Sequence, residues 1–231
     1  MKLLRYLLIG VIVIGGGFAI YLLGIKSDSK PKPKLAATTT AAGTSSSGPA
    51  RTSPNDTWTV RPGPVSDTFV GYRVRELLLR GNIDQEVTGR TNQVTGQFVV
   101  ANGIAATGEL VAQVDTLSTD SGLRDSAVKR TGLESSKFPT ATFTLTQPIE
   151  LGSAKAGQRV KTNATGNLTV HGVTKPVTFA LDTRWDGNTI ETAGSAPIKL
   201  SDFGIRIDDF KFAAEVANDA TIELQLTFVP K

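Results

Sequence analysis

His171 is the only histidine in the chain, and there is no cysteine. A Ser-His-Asp triad would have to use His171, and so would any His-based metal site. A multi-His site, a thiolate zinc site, a Cys nucleophile, a disulfide and a lipid-modified Cys anchor are all excluded. His171 precedes Gly172 where the chain must reverse, which suits a turn residue better than a general base. The acids Asp202, Asp208, Asp209 and Asp219 lack the D-x-D-x-D-G spacing of a calcium loop, so they read as solvated loop charges. Arg124-Asp125 has two readings, orienting a ligand head at a pocket mouth or forming a local helix cap and ion pair. Gly15-Gly16-Gly17 and Gly43–Gly48 precede no Lys-Ser/Thr and are not phosphate loops. Matches to N-x-T at Asn55, Asn163 and Asn167 are expected by chance in a Thr-rich chain. No metal, cofactor or enzymatic activity is expected.

The charge is unevenly placed. Residues 1–54 carry Lys2, Arg5, Lys26, Lys30, Lys32, Lys34 and Arg51 against Asp28 alone, a net of +6. The remainder is net −2, with 18 basic and 20 acidic residues. The pI of 9.4 therefore belongs to the tail. A nearly neutral remainder argues against a nucleic-acid partner.

Within that tail, Leu7 to Ile25 is a run of 19 uncharged residues. At ~1.5 Å per residue it matches the ~30 Å hydrocarbon core. A cleaved signal peptide is the rival, but its apolar region is shorter and a small-residue cleavage site follows it. Leu22-Leu23-Gly24-Ile25-Lys26 offers none. Residues 1–26 are expected to be an uncleaved, single-pass membrane anchor. Basic residues flank both ends of the run, so charge alone does not orient it. Residues 27–54 are rich in Ser, Thr, Ala, Pro and Gly and poor in large apolar side chains. They are expected to be a disordered linker, extended by Pro-Lys repeats. A spacer is the preferred reading over adhesion of Lys30, Lys32 and Lys34 to anionic lipid or cell-wall polymer.

From Asn55 to Lys231 the pattern has a period of two. Val70, Tyr72 and Val74 alternate with Phe69, Gly71 and Arg73. Leu77-Leu78-Leu79 fits neither period and predicts a helical turn or bulge. Val94, Gly96, Phe98 and Val100 lead to Asn102-Gly103, a hairpin signal, and Leu110, Ala112 and Val114 return from it. Asp120–Leu133 predicts a short crossing helix. Phe138, Ala141, Phe143 and Leu145 then face away from a row of threonines. Thr165–Thr183 reads as a hairpin around His171-Gly172. A strict two-residue turn would put Lys175 on the apolar face, and Pro176 removes a ladder donor. A longer turn or bulge over Val173–Pro176 is therefore expected, turning Lys175 outward. Weaker alternation at 189–198 and clean alternation at 221–228 complete about eight strands with one helix. An antiparallel all-β sandwich or barrel follows.

Arg124-Asp125, SKFPTATFTL at 136–145, GNLTVHGVTKPVTF at 166–179 and SDFGI at 201–205 together resemble the YceI-like family, in order and spacing, across about residues 57–229. The chain departs from that pattern at Tyr72-Arg73-Val74-Arg75, where Phe and His are frequent, at Leu200-Ser201, and in a longer 76–97 segment. The resemblance implies a lipocalin-like antiparallel β-barrel exported from the bacterial cytoplasm. It also implies a long isoprenoid partner, a polyprenyl quinone or polyprenyl phosphate, held in the barrel. With the anchor, this places a single-pass protein in the cell membrane and its barrel on the extracytoplasmic side. Phe98, Phe143, Phe179 and Leu224, on the apolar parity of their strands, are candidates to line the ligand. Tyr72, Leu168, Val170 and Phe203 join them. Periodicity alone favours a dry, packed core, and only the resemblance brings ligand lining level with it. The alternative function is a ligand-free structural or protein-interaction domain of the envelope. The sequence leaves a homodimer open.

Overall fold

A computed structural model of the chain describes residues 29–35, 51–78, 83–151, 155–206 and 214–231. Among the described residues eleven strands run in chain order: β1 (Asp56–Val60), β2 (Phe69–Leu78), β3 (Ile83–Thr91), β4 (Val94–Ala101), β5 (Ile104–Gln113), β6 (Thr140–Leu145), β7 (Ile149–Glu150), β8 (Arg159–Val170), β9 (Val173–Trp185), β10 (Ile190–Lys199) and β11 (Ala214–Pro230). A short helix, α1 (Gly122–Ala127), lies between β5 and β6. All strand pairings named below are antiparallel.

The sheet closes on itself. β1 pairs with β4 on one side and with the end of β11 on the other. The order β1-β4-β5-β6-β8-β9-β10-β11 therefore forms an eight-stranded ring, which leaves no open edge in that circuit. β2 pairs with the first part of β11, and β3 pairs with β2. Arg90 of β3 exchanges backbone hydrogen bonds with Ser118 and ties this hairpin back to the chain after β5. The apolar parity of each strand faces inward. Trp58, Ala164, Phe179, Leu224, Leu226 and Phe228 are buried in one inner cluster. Val74, Val87, Leu168, Val170 and Ile198 are buried in a second.

α1 forms because Ser121 caps it, with its side chain accepting from the Arg124 amide. Asp125 accepts from both the amide and the hydroxyl of Thr119, 2.7 Å each, and fixes the entry of the chain. A wider π-type turn at Val128–Gly132 follows.

Three expectations change. The β8–β9 hairpin has a strict two-residue turn: Val170 pairs with Val173 and Leu168 with Lys175, with no bulge. His171 and Gly172 both adopt positive φ, 53° and 73°, which matches the strand twist. Lys175 keeps the inward parity yet is exposed, at the overhanging tip of the hairpin. Counting from the turn, Asn167–Pro176 is a non-hydrogen-bonded pair, so the missing donor costs nothing there. Second, Leu77 and Leu78 are strand, because β2 extends to pair with Ile83 and Asp84.

The third change lies in the expected linker. Residues 29–35 lie along the outer wall, over a charged cluster. Glu223 is 2% exposed and Arg73 6%, although both sit on the outer parity of β11 and β2. Arg73 Nε donates to Glu223 Oε1 at 2.5 Å, and its other nitrogens donate to Glu86, Ser29 Oγ and the Lys30 carbonyl. Arg90 stacks 3.8 Å over the Phe69 ring and donates to Glu223 and the Pro31 carbonyl. Lys34 N donates to Gln225 Oε1 at 3.2 Å, and Leu35 is buried. The segment supplies carbonyl acceptors that two buried guanidiniums need.

No helix among the described residues is long and apolar enough to cross a membrane. The expected anchor, 1–26, lies outside them, as do residues 27–28 and 36–50 of the expected linker.

Two outcomes follow from the outer-wall cluster. Arg73→Ala leaves Glu223 facing only Arg90 and is expected to cost about 3 kcal/mol in urea unfolding. Loss of less than about 1 kcal/mol would mean that water reaches the cluster. Partial burial opposes ionisation of Glu86, but hydrogen bonds from Ser29 and Arg73 win and hold its carboxyl below the ordinary value. Its contribution to stability is thus present above the unfolded value of about 4.3 and lost as pH falls through the folded value. Glu86→Gln should therefore lower stability at neutral pH and flatten the acid limb, so that the stability–pH curves of variant and wild type converge at low pH.

Candidate functional site

The barrel interior is a cavity of about 360 Å³ running along the strands. Its wall is mostly Val, Leu, Ile, Phe and Ala. Water needs several polar partners to occupy such a space, so this lumen suits an apolar guest.

An eight-stranded barrel is only just wide enough to hold its own side chains. This one stays open because large lining groups lie flat against glycines of the neighbouring strand. The Tyr72 ring covers Gly89, its direct partner across β2–β3, and a Cβ there would lie 2.7 Å from Tyr72 Cζ. Phe143 covers Gly166, where a Cβ would lie 2.6 Å from Cζ. Leu181 covers Gly194 in the same way. Edge-to-face contacts fix the rings further. Phe143 and Phe179 are 5.1 Å apart between centroids, and Phe98 and Phe228 are 4.9 Å apart. Such pairs hold ring orientation beyond what apolar burial provides.

Of the residues expected to line a ligand, Tyr72, Phe98, Phe143, Leu168, Val170, Phe179 and Leu224 all border this cavity. Phe203 does not. It is buried in a short turn at Leu200–Phe203, behind the wall. Its carbonyl accepts from His171 Nδ1 at 3.1 Å, while His171 Nε2 sits 2.7 Å from Glu134 Oε2. Phe138 packs on the His171 ring at 4.9 Å. Three of the sequence motifs thus meet at one latch beside the β8–β9 turn. His171 is a tie between segments, bonded among the described residues to the Phe203 carbonyl and Glu134.

The end of the barrel beneath α1 is polar. Arg124 Nη2 reaches Glu76 at 3.0 Å and Nη1 reaches Asp120 at 2.7 Å. Glu76, Ser121 and Arg124 border the cavity. Arg124 thus forms the expected ion pair, and its side chain also borders the cavity. Glu76 was not legible in advance, because it lies in the Leu-rich stretch whose conformation the period left open. Below this ion pair the Tyr72 hydroxyl is buried without a hydrogen-bond partner. Burial pushes the phenol well above its ordinary value; Arg124 opposes this, and Asp125, Glu76 and Asp120 reinforce it. Tyr72 therefore remains a neutral donor. Among the described residues there is no group of three or more His, Cys, Asp or Glu placed to hold a metal ion. Asp219 pairs with Lys199 at 2.9 Å; Asp208 and Asp209 lie outside the described residues.

An orphaned buried hydroxyl costs about 1–3 kcal/mol. Tyr72→Phe is therefore expected to raise the Tm of delipidated protein. A lowered Tm in thermal unfolding would mean that the hydroxyl is already paired.

Residues 58–228 match the YceI-like domain. A UPF0312 protein of Pseudomonas aeruginosa is 36% identical over 150 residues, covering 61% of this chain and 72% of that protein. A Vibrio cholerae UPF0312 protein is 33% identical over 130 residues, covering 52% of this chain and 66% of its own length, just under two thirds. Among solved structures, a polyisoprenoid binding domain from Saccharophagus degradans, implicated in plant cell wall breakdown, superposes with a TM-score of 0.59 at 14% identity, over 75% of this chain and 98% of that one. BcnA of Burkholderia cenocepacia superposes with a TM-score of 0.52 at 24% identity, over 68% and 95% of the two chains. At these identities the superpositions speak for the fold.

Proposed function

The chain belongs to the YceI-like family, and from that premise we propose that it is a membrane-tethered binding protein that holds a long isoprenoid lipid in its barrel. The role is binding rather than catalysis. The observation that carries this reading is the open apolar lumen, about 360 Å³, kept open by side chains flattened over glycines. An isoprenoid tail is slender and apolar, and its burial is favourable by roughly 25 cal/mol per Å². The description of the Saccharophagus neighbour as polyisoprenoid-binding supports the same ligand class. The head would lie near Tyr72, Glu76 and Arg124, where the wall turns polar. A polyprenyl quinone and a polyprenyl phosphate are the head types to compare. The uncharged run from Leu7 to Ile25 supports a single-pass anchor, and the YceI-like resemblance, with the export it implies, supports a barrel on the extracytoplasmic side.

The test is organic extraction of the purified full chain followed by mass spectrometry, in wild type and Ala164→Phe. Ala164 is buried on the cavity wall, so a Phe there fills lumen space. Roughly one isoprenoid per wild-type chain is expected, since the lumen takes one slender guest. The folded variant is expected to lose most of it. Wild-type protein free of isoprenoid, or equal loading of the two, contradicts the proposal.

A further inference from the structure

We infer that Ser29–Leu35 is a strap that holds the α1 end of the barrel against a lipid bilayer, an inference that rests on the membrane-tethered reading above. The direction of the strap carries the argument. Ser29 Oγ bonds Glu86, which pairs across the sheet with Arg75. Lys30 N meets Thr88, opposite Arg73. The Pro31 carbonyl meets Arg90, opposite Gly71. Lys34 meets Gln225, opposite Phe69. The strap therefore runs antiparallel to β2. Traced back toward the N-terminus, it reaches the end of the barrel where Glu76 of β2 meets Arg124 of α1.

Chain length sets the distance. Three peptide steps separate Lys26 from Ser29, at most about 11 Å when fully extended. A free linker over all of 27–54 would instead have a coil dimension of about 30 Å and leave the barrel unoriented. With the strap docked, Ser29 stands at the α1 end, so chain length limits how far that end can stand from a bilayer spanned by Leu7–Ile25. Leu123 of α1 borders the cavity and is 66% exposed, the most exposed large hydrophobic among the described residues. A rim held at the bilayer gives that side chain an apolar surface and gives a lipid tail a short route to the lumen. The opposite rim, at Gln158 before β8, faces away. β8 runs from there to the His171 turn, which contacts the segment following α1.

The absence of cysteine makes site-specific labelling clean. The full chain is reconstituted into phosphatidylethanolamine/phosphatidylglycerol vesicles containing nitroxide-headgroup lipid. A fluorophore is placed at Leu123→Cys or, separately, at Gln158→Cys; both positions are exposed. Quenching at position 123 is expected to be severalfold stronger than at 158. Inserting about twenty Gly/Ser residues between Asp28 and Ser29, a coil of about 25 Å, is expected to remove the difference. Equal quenching in the uninterrupted chain overturns the inference, as does stronger quenching at 158 or failure of the chain to float with vesicles. Asymmetry that survives the insertion overturns it too, because the rim would then bind lipid without the strap. Isoprenoid extracted from the same preparations reads the lipid-binding proposal separately. Bound lipid with equal quenching leaves that proposal standing and removes only the orientation.

Discussion

The structure depends on a packing constraint inside a narrow barrel. Eight strands enclose barely enough room for their own inward side chains. A lumen of about 360 Å³ survives because bulky residues are laid along the wall rather than across it. Gly89, Gly166 and Gly194 each leave the missing volume that a neighbouring Tyr72, Phe143 or Leu181 occupies. At the seam β1 bridges β4 and β11, and buried Trp58 and Phe228 pack behind the backbone pairing.

The two faces of β2 and β11 divide the work. Inward, Tyr72, Val74 and Leu224 contribute to the lumen. Outward, Arg73, Arg90 and Glu223 form an ionic layer that would be solvated on a bare barrel. It is buried because residues 29–35 cover it, and the Lys30 and Pro31 carbonyls accept hydrogen bonds from its guanidiniums. Buried ion pairs are poor sources of net stability but costly to break. That asymmetry suits a docking contact: as docked, the segment gives acceptors to both Arg73 and Arg90. The wall that shapes the cavity therefore also fixes where the N-terminal tail leaves it.

Much of the fold was legible from alternation alone. Thr221–Phe228 and Thr140–Leu145 appear as strands with their apolar residues inward, and Asn102-Gly103 forms the turn that its dipeptide signals. Seven of the eight expected lining residues border the cavity, because parity on a closed sheet leaves each side chain only two directions. Phe203 escapes this rule since it lies in a turn, where period two says nothing. The missing bulge at Pro176 shows a different limit: whether a proline is tolerated depends on the pair type, which only register reveals. The strap was invisible for a third reason. Its sequence, Ser29–Leu35, has the composition of a spacer, and its partners are up to 191 positions away. The openness of the lumen was equally hidden, since it depends on which glycine faces which ring across strands.

The central claim is that the lumen is a lipid site rather than an incompletely packed core. A crystal structure of the full chain purified from native membranes tests it most directly. The account predicts continuous elongated density along the barrel axis, passing Phe143, Phe179 and Leu224 and ending near Tyr72 and Arg124, with the rings still flat over Gly89 and Gly166. A lumen closed by inward rotation of those rings, with no such density, would contradict it.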